Sequence, residues 1–267
     1  MGQVRAIFIL LAVLVFSAQP LRAAFVDLEL VLLVDVSGSI DDDEAALQRD
    51  GYIKAITDPR VLRVIQSGRH GRIAVMYAEW AGDHFQQIVT DWAMIHDAAS
   101  AKAFGDDLAA EPLRVEAWTS LSGAMRYGLE MLDFSPHQGR RRVLDISGDG
   151  PNNSGGPVLS MREKVLAQRV TINGLPIING RPSRYGRLPM KDLDGYYRDC
   201  VIGGNGAFIV VAHGFNDFAR AIRRKLILEI AGRQPLQPRL TPAAVSGGTR
   251  NRCLAGERSR DYDWDDM

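Results

Sequence analysis

Residues Leu28 to Val34 (L-E-L-V-L-L-V) make a near-continuous aliphatic run, and no other feature limits the fold as much. A strand with one wet face alternates apolar and polar residues. A run without that alternation belongs to a strand covered on both faces. The run ends directly in Asp35-Val36-Ser37-Gly38-Ser39-Ile40, after which Asp41 and Glu44 read as an N-cap and its capping-box partner. A helix is expected from there to about Ile56, with Asp58-Pro59 stopping it.

The alternation of element types continues along the chain. Arg72 to Glu79 and His84 to Thr90 read as two strands of a hairpin turned at Ala81-Gly82-Asp83. Further strands are expected over Arg142 to Ser147, Val170 to Ile178 and Ala207 to Ala212. Helices are expected over Asp97 to Ala109, Thr119 to Leu132, Val158 to Arg169 and Phe215 to Ile230, and Asn179 to Asn205 reads as irregular. Strands interleaved with helices in this way define a doubly wound α/β fold. Its sheet is mostly parallel with one antiparallel edge strand, and helices cover both faces.

The first residues have a different character. Arg5 precedes an apolar run from Ala6 to Phe16, and Leu21-Arg22-Ala23-Ala24 supplies a small-residue exit. This is the pattern of a secretory signal peptide, expected over 1–23, with a domain over 24–232 and a flexible tail over 233–267. The apolar run is too short to span a bilayer comfortably, so no stable membrane span is expected after cleavage, and the location read from the sequence is periplasmic or secreted. The chain has 32 basic and 32 acidic residues. Loss of Arg5 and Arg22 tips that balance slightly negative, so no basic field points to nucleic acid. In an oxidising compartment Cys200 and Cys253 could form one disulfide; two unpaired thiols are the equal alternative. No feature fixes an oligomeric state.

Ligands of an open α/β sheet bind at the carboxyl ends of strands, near the point where strand order reverses. Three segments bring oxygens to such ends: Asp35-x-Ser37-x-Ser39 after the first strand, Thr119 at a helix start, and Asp149 after the Arg142 to Ser147 strand. Oxygen ligands without His or Cys suit hard cations such as Mg²⁺, Mn²⁺ or Ca²⁺. Hydroxyls are neutral ligands, so a cation held largely by them keeps positive charge and attracts an acidic group from outside. Asp145, inside an apparently buried strand, needs a partner of its own, and an Arg is expected.

These three segments resemble the metal-ion-dependent adhesion site of von Willebrand factor type A domains, and the likeness runs from about Leu28 to Gly232. It implies a Rossmann-like fold and a metal site of Asp35, Ser37, Ser39, Thr119 and Asp149. Ser37, Ser39 and Thr119 would bind through their hydroxyls, Asp35 and Asp149 mainly through water, and a protein partner's carboxylate would complete the coordination. Two departures stand out: Gly148 separates Ser147 from Asp149, and Ala117-Trp118 replaces the Gly-Gly that often precedes the threonine. The chain looks closest to an uncharacterised family of exported bacterial proteins of this type.

The resulting expectation is a binding module and not an enzyme. A metal-dependent hydrolase and a degenerate scaffold without metal are the alternatives. Against a serine nucleophile, the chain has no G-x-S-x-G elbow and its five histidines are scattered. Against an aspartate-based phosphatase, Ser37 stands where a second acid is needed.

Overall fold

The structure, a computed structural model, describes residues 24–182, 188–234 and 251–262. The expected signal segment over 1–23 lies outside them. The chain opens with the short strand β1 (Ala24–Val26) and the central strand β2 (Glu29–Asp35), followed by helices α1 (Asp42–Ile56) and α2 (Pro59–Gln66). Strands β3 (Ile73–Trp80) and β4 (Gln86–Ile95) form the hairpin, and helices α3 (Ala98–Ala110) and α4 (Leu121–Asp133) follow. Next come β5 (His137–Gly139), β6 (Arg142–Gly148), α5 (Val158–Ala167) and β7 (Thr171–Pro176). The short α6 (Leu193–Tyr196) runs into a π-helical turn, Tyr197–Val201. A 3₁₀ turn at Phe215–Asp217 leads into α7 (Phe218–Ala231), and α8 (Ala255–Tyr262) is the last described element.

The main sheet has the order β4-β3-β2-β6-β7, parallel except for the β3–β4 pair, while β1 and β5 form a separate two-stranded parallel sheet. Every residue of β2 is buried. Leu30, Leu32 and Val34 face a core built with α1, α2, α3 and α7. Val31 and Leu33 face the opposite core, with α4, α5 and the π-helical turn. Each fully buried aliphatic side chain contributes roughly 1.5–3 kcal/mol, so this strand could be neither an edge nor one-sided. The doubly wound expectation is met.

Local signals act where the sequence places them. Asp41 caps α1, with its carboxylate accepting from the Glu44 amide at 2.8 Å while the Glu44 side chain accepts from the Asp41 amide at 3.2 Å. Ser120, not Thr119, caps α4, accepting from the Gly123 amide at 3.0 Å.

Four expectations need correction. Asp58-Pro59 ends one helix but also starts another, because Pro59 sits in the first turn of α2, where its missing N–H costs nothing, and Asp58 accepts from the Arg60 amide. The expected strand Ala207 to Ala212 is reduced to isolated parallel bridges, Gly174 to Ile209 and Ile177 to Ala212. At its start the Phe208 amide bonds the Asn173 side chain at 3.0 Å instead of a β7 carbonyl. The buried partner of Asp145 is Lys225 of α7, Nζ to Oδ1 2.5 Å, and not an arginine. Finally, the segment read as a tail contains α8, fixed by a disulfide between Cys200 and Cys253 with Cα atoms 5.4 Å apart. It has no apolar stripe, so periodicity gave no sign of it; the crosslink and polar contacts hold it.

Candidate metal centre

β2 lies between β3 and β6, so the reversal of strand order falls beside it, and the carboxyl ends of β2 and β6 open on one crevice. The loop after β2 folds on itself: Asp35 Oδ1 accepts from the Ser37 amide at 2.7 Å, and Ser37 Oγ lies 3.2 Å from Ser39 Oγ. Ser39 Oγ then donates to Asp149 Oδ1 at 2.5 Å across 110 residues of chain. Asp149 follows β6 directly, and its other oxygen accepts from Asn179 Nδ2 at 3.4 Å.

The Thr119 segment is joined through backbone. Glu116, three residues before Thr119, bridges Ser37, with its amide donating to the Val36 carbonyl. Thr119 is buried, its amide donates to Asn153 Oδ1 at 2.8 Å, and its carbonyl accepts from the Asn153 and Ser154 amides. Its Oγ1 faces the neighbour of Asp149: a Cβ placed on Gly150 would stand 3.7 Å from it. Thus Asp35, Ser37, Ser39 and Asp149 form one connected cluster, with Thr119 held at its edge.

The electrostatics are those of a buried acid pair. Burial pushes Asp35 up to about 8, and the neighbouring Asp149 charge adds to that rise, while bonds from Ser37 oppose it. Burial likewise raises Asp149 to about 6 against the Ser39 bond, with the Glu44 charge raising it further. Asp35 Oδ2 is buried with no hydrogen-bond partner among the described residues. A buried carboxylate oxygen without a donor is costly in a protein interior. An oxygen set of two carboxylates and three hydroxyls around it fits a hard divalent cation. Among the described residues there is no group of three or more His, Cys, Asp or Glu able to hold a metal ion. Beside the two carboxylates, the side-chain oxygens that the cluster offers are hydroxyls.

Both departures from the expected pattern acquire a reason. A Cβ on Gly148 would stand 2.7 Å from Asp35 Oδ2 and 2.8 Å from Tyr197 Oη, so only glycine lets β6 pass this close to the aspartate. Gly148→Ala is expected to cost about 1–3 kcal/mol of stability by overpacking a rigid site, measured by urea denaturation. Trp118 has a φ of 68°, in the left-handed region that glycine adopts freely and other residues rarely do. Trp118 thus holds a bend just before Thr119 that glycine would adopt more freely, with its indole 47% exposed.

Three residues near the cluster were missed in the sequence. Asn179 lies in a stretch read only as irregular, Glu44 was read as a cap alone, and Gln48 Nε2 donates to the Asp35 carbonyl at 3.1 Å from the buried side of α1. The position of Asn179 just past β7, at the same sheet end, is the one signal that could have marked it.

A mostly parallel sheet with one antiparallel pair, flanked by helices, and this cluster at its switch point define a von Willebrand factor type A fold. The same fold occurs in a von Willebrand factor type A protein from Catenulispora acidiphila (TM-score 0.52, 12% identity, 77% of this chain and 43% of that one). It also occurs in proximal thread matrix protein 1 of the mussel byssus, in a structure with a zinc-occupied MIDAS motif (TM-score 0.56, 14% identity, 78% and 49%). A third instance is the pilus adhesin SpaC of Lactobacillus rhamnosus GG (TM-score 0.56, 13% identity, 77% and 30%). The chain spans about half the length of the mussel protein or less of these others. A comparison with curated protein sequences finds no match. The chain belongs to the family described as "Protein of unknown function (DUF1194)", which it matches over residues 25–234.

Proposed function

We propose that this chain is an exported, metal-dependent protein-binding module that ligates an acidic group of a protein partner through a divalent cation. Mg²⁺ is the preferred ion, with Mn²⁺ and Ca²⁺ as alternatives. Ser37, Ser39 and Thr119 would hold the ion through hydroxyls, and Asp35 and Asp149 through their carboxylates or intervening water. With neutral hydroxyls as its main direct ligands, a bound cation would keep positive charge at its open position, which favours an outside carboxylate as the last ligand. The observation that carries this reading is the run Ser37–Ser39–Asp149 beside an unbonded, buried Asp35 oxygen.

Other features support parts of it. The fold neighbours include a structure with an occupied MIDAS motif and a pilus adhesin. A disulfide suits an oxidising, periplasmic or extracellular location after removal of residues 1–23. No helix among the described residues is long and apolar enough to cross a membrane. A non-enzymatic role is supported by the fold neighbours named above, which include a matrix protein and an adhesin.

The test is calorimetric titration of Mg²⁺ and Mn²⁺ into the wild type and the Ser37→Ala, Ser39→Ala double variant. Binding to the wild type and none to the variant is expected; equal affinity in both would exclude the site.

A further inference from the structure

Helix α8 meets the loop between Asp149 and α5 through the Glu257 side chain. Glu257 of α8 accepts from the Val158 amide at 2.8 Å and from Asn152 Nδ2 at 3.2 Å, both through Oε1. Val158 opens α5, whose N-cap is Pro157 and has no side-chain cap of its own. The carboxylate thus caps that helix from 99 residues away.

Asn152 is fully buried and ties three places together. Its Oδ1 accepts from the Ser122 amide at 3.1 Å, its own amide donates to Tyr196 Oη at 3.1 Å, and its Nδ2 also donates to the Gly156 carbonyl. Next to it, Asn153 binds the Thr119 backbone from both sides. The loop that Glu257 fixes therefore runs from Asp149 at one end to the Thr119 contact at the other. α8 lies directly on this loop: a Cβ on Gly256 would stand 2.5 Å from the Asn152 carbonyl oxygen. What holds α8 in place is the buried Cys200–Cys253 disulfide, assisted by Arg252 with Asp192 at 3.4 Å and with Asp199.

We propose that Glu257 is a positioning residue of the metal centre, and that the Cys200–Cys253 disulfide delivers it, so that an intact crosslink sets the affinity for the cation. This rests on the metal-binding reading above. Glu257 touches no ligand of the cluster; it acts by removing freedom from the loop that carries Asp149 and holds Thr119. Losing a partner bonded directly to a metal ligand lowers affinity about 10- to 100-fold; Glu257 stands further out, so a smaller loss of about 3- to 10-fold is expected.

The test uses the full mature chain and Mg²⁺ titration. Glu257→Ala is expected to weaken Mg²⁺ about 3- to 10-fold, and Glu257→Gln, which keeps an acceptor oxygen, to restore most of that loss. Cys200→Ser with Cys253→Ser should weaken it similarly, and adding Glu257→Ala to that background should cost little more, because both act through the same contact. Wild-type affinity in Glu257→Ala would overturn the proposal. If the wild type takes up neither Mg²⁺ nor Mn²⁺, the metal reading itself fails. Hydrogen exchange in metal-free protein then judges the positioning role separately. Faster exchange over 150–158 and 119–123 in Glu257→Ala supports it, and unchanged exchange refutes it.

Discussion

Lys225→Met is expected to destabilise the domain by about 3–5 kcal/mol, the cost of removing one partner from a buried ion group. Lys225 Nζ lies 2.5 Å from Asp145 Oδ1 and 2.5 Å from Glu229 Oε1, with all three side chains inaccessible to solvent. Burial pushes Glu229 up to about 8, and the Asp145 charge raises it further against the attraction of Lys225. This rise favours the protonated form of Glu229, which leaves the Lys225 ammonium facing Asp145. Without the ammonium, Asp145 is a buried charge with no counter-ion. Glu229→Gln mimics the protonated acid, keeps the Asn173 contact within reach, and is expected to cost far less than Lys225→Met. Urea unfolding of the two variants measures the difference. Comparable losses would mean that Glu229 is ionised in the native protein.

Removing divalent metal should matter most at high pH. In the metal-free protein Asp35 and Glu229, each raised to about 8, and Asp149, raised to about 6, bind protons more tightly than the unfolded chain does. Between about pH 4 and pH 8 the native state then carries more protons than the unfolded state, so stability falls as pH rises. A cation between Asp35 and Asp149 replaces their protons and cancels that part of the slope. At pH 8, Mg²⁺ at about 100 times its Kd should stabilise the domain by about 2.7 kcal/mol, and this gain should shrink towards pH 5 as protons compete. Glu229 lies outside the cluster, so some loss of stability at high pH should persist with metal. Thermal melts in Mg²⁺ and in EDTA at pH 5, 6.5 and 8 measure this. A gain independent of pH would show that the two carboxylates are not ligands.

Much of this protein can be read without coordinates, because its strongest signals are local. The unbroken aliphatic run of β2 requires cover on both faces, and the structure provides it. Asp41 and Glu44 form their capping box within four residues. The D-x-S-x-S loop closes through the Ser37 amide and Asp35, two positions apart. These outcomes depend on the period of the chain and the reach of short side chains, both of which sequence spacing records.

Other features depend on which distant groups the sheet order makes neighbours. β2 and β6 adjoin, so Ser39 meets Asp149; β6 and α7 adjoin, so Asp145 meets a lysine where an arginine was expected. α8 has no apolar stripe to announce it, and its position comes from a disulfide and from Glu257 reaching an amide 99 residues away. The sequence by itself determined the class of fold and the kinds of oxygen offered at the ends of its strands. Tertiary structure alone decided which of those oxygens are buried together and what braces them, because contact across a hundred residues follows from topology and not from any period along the chain.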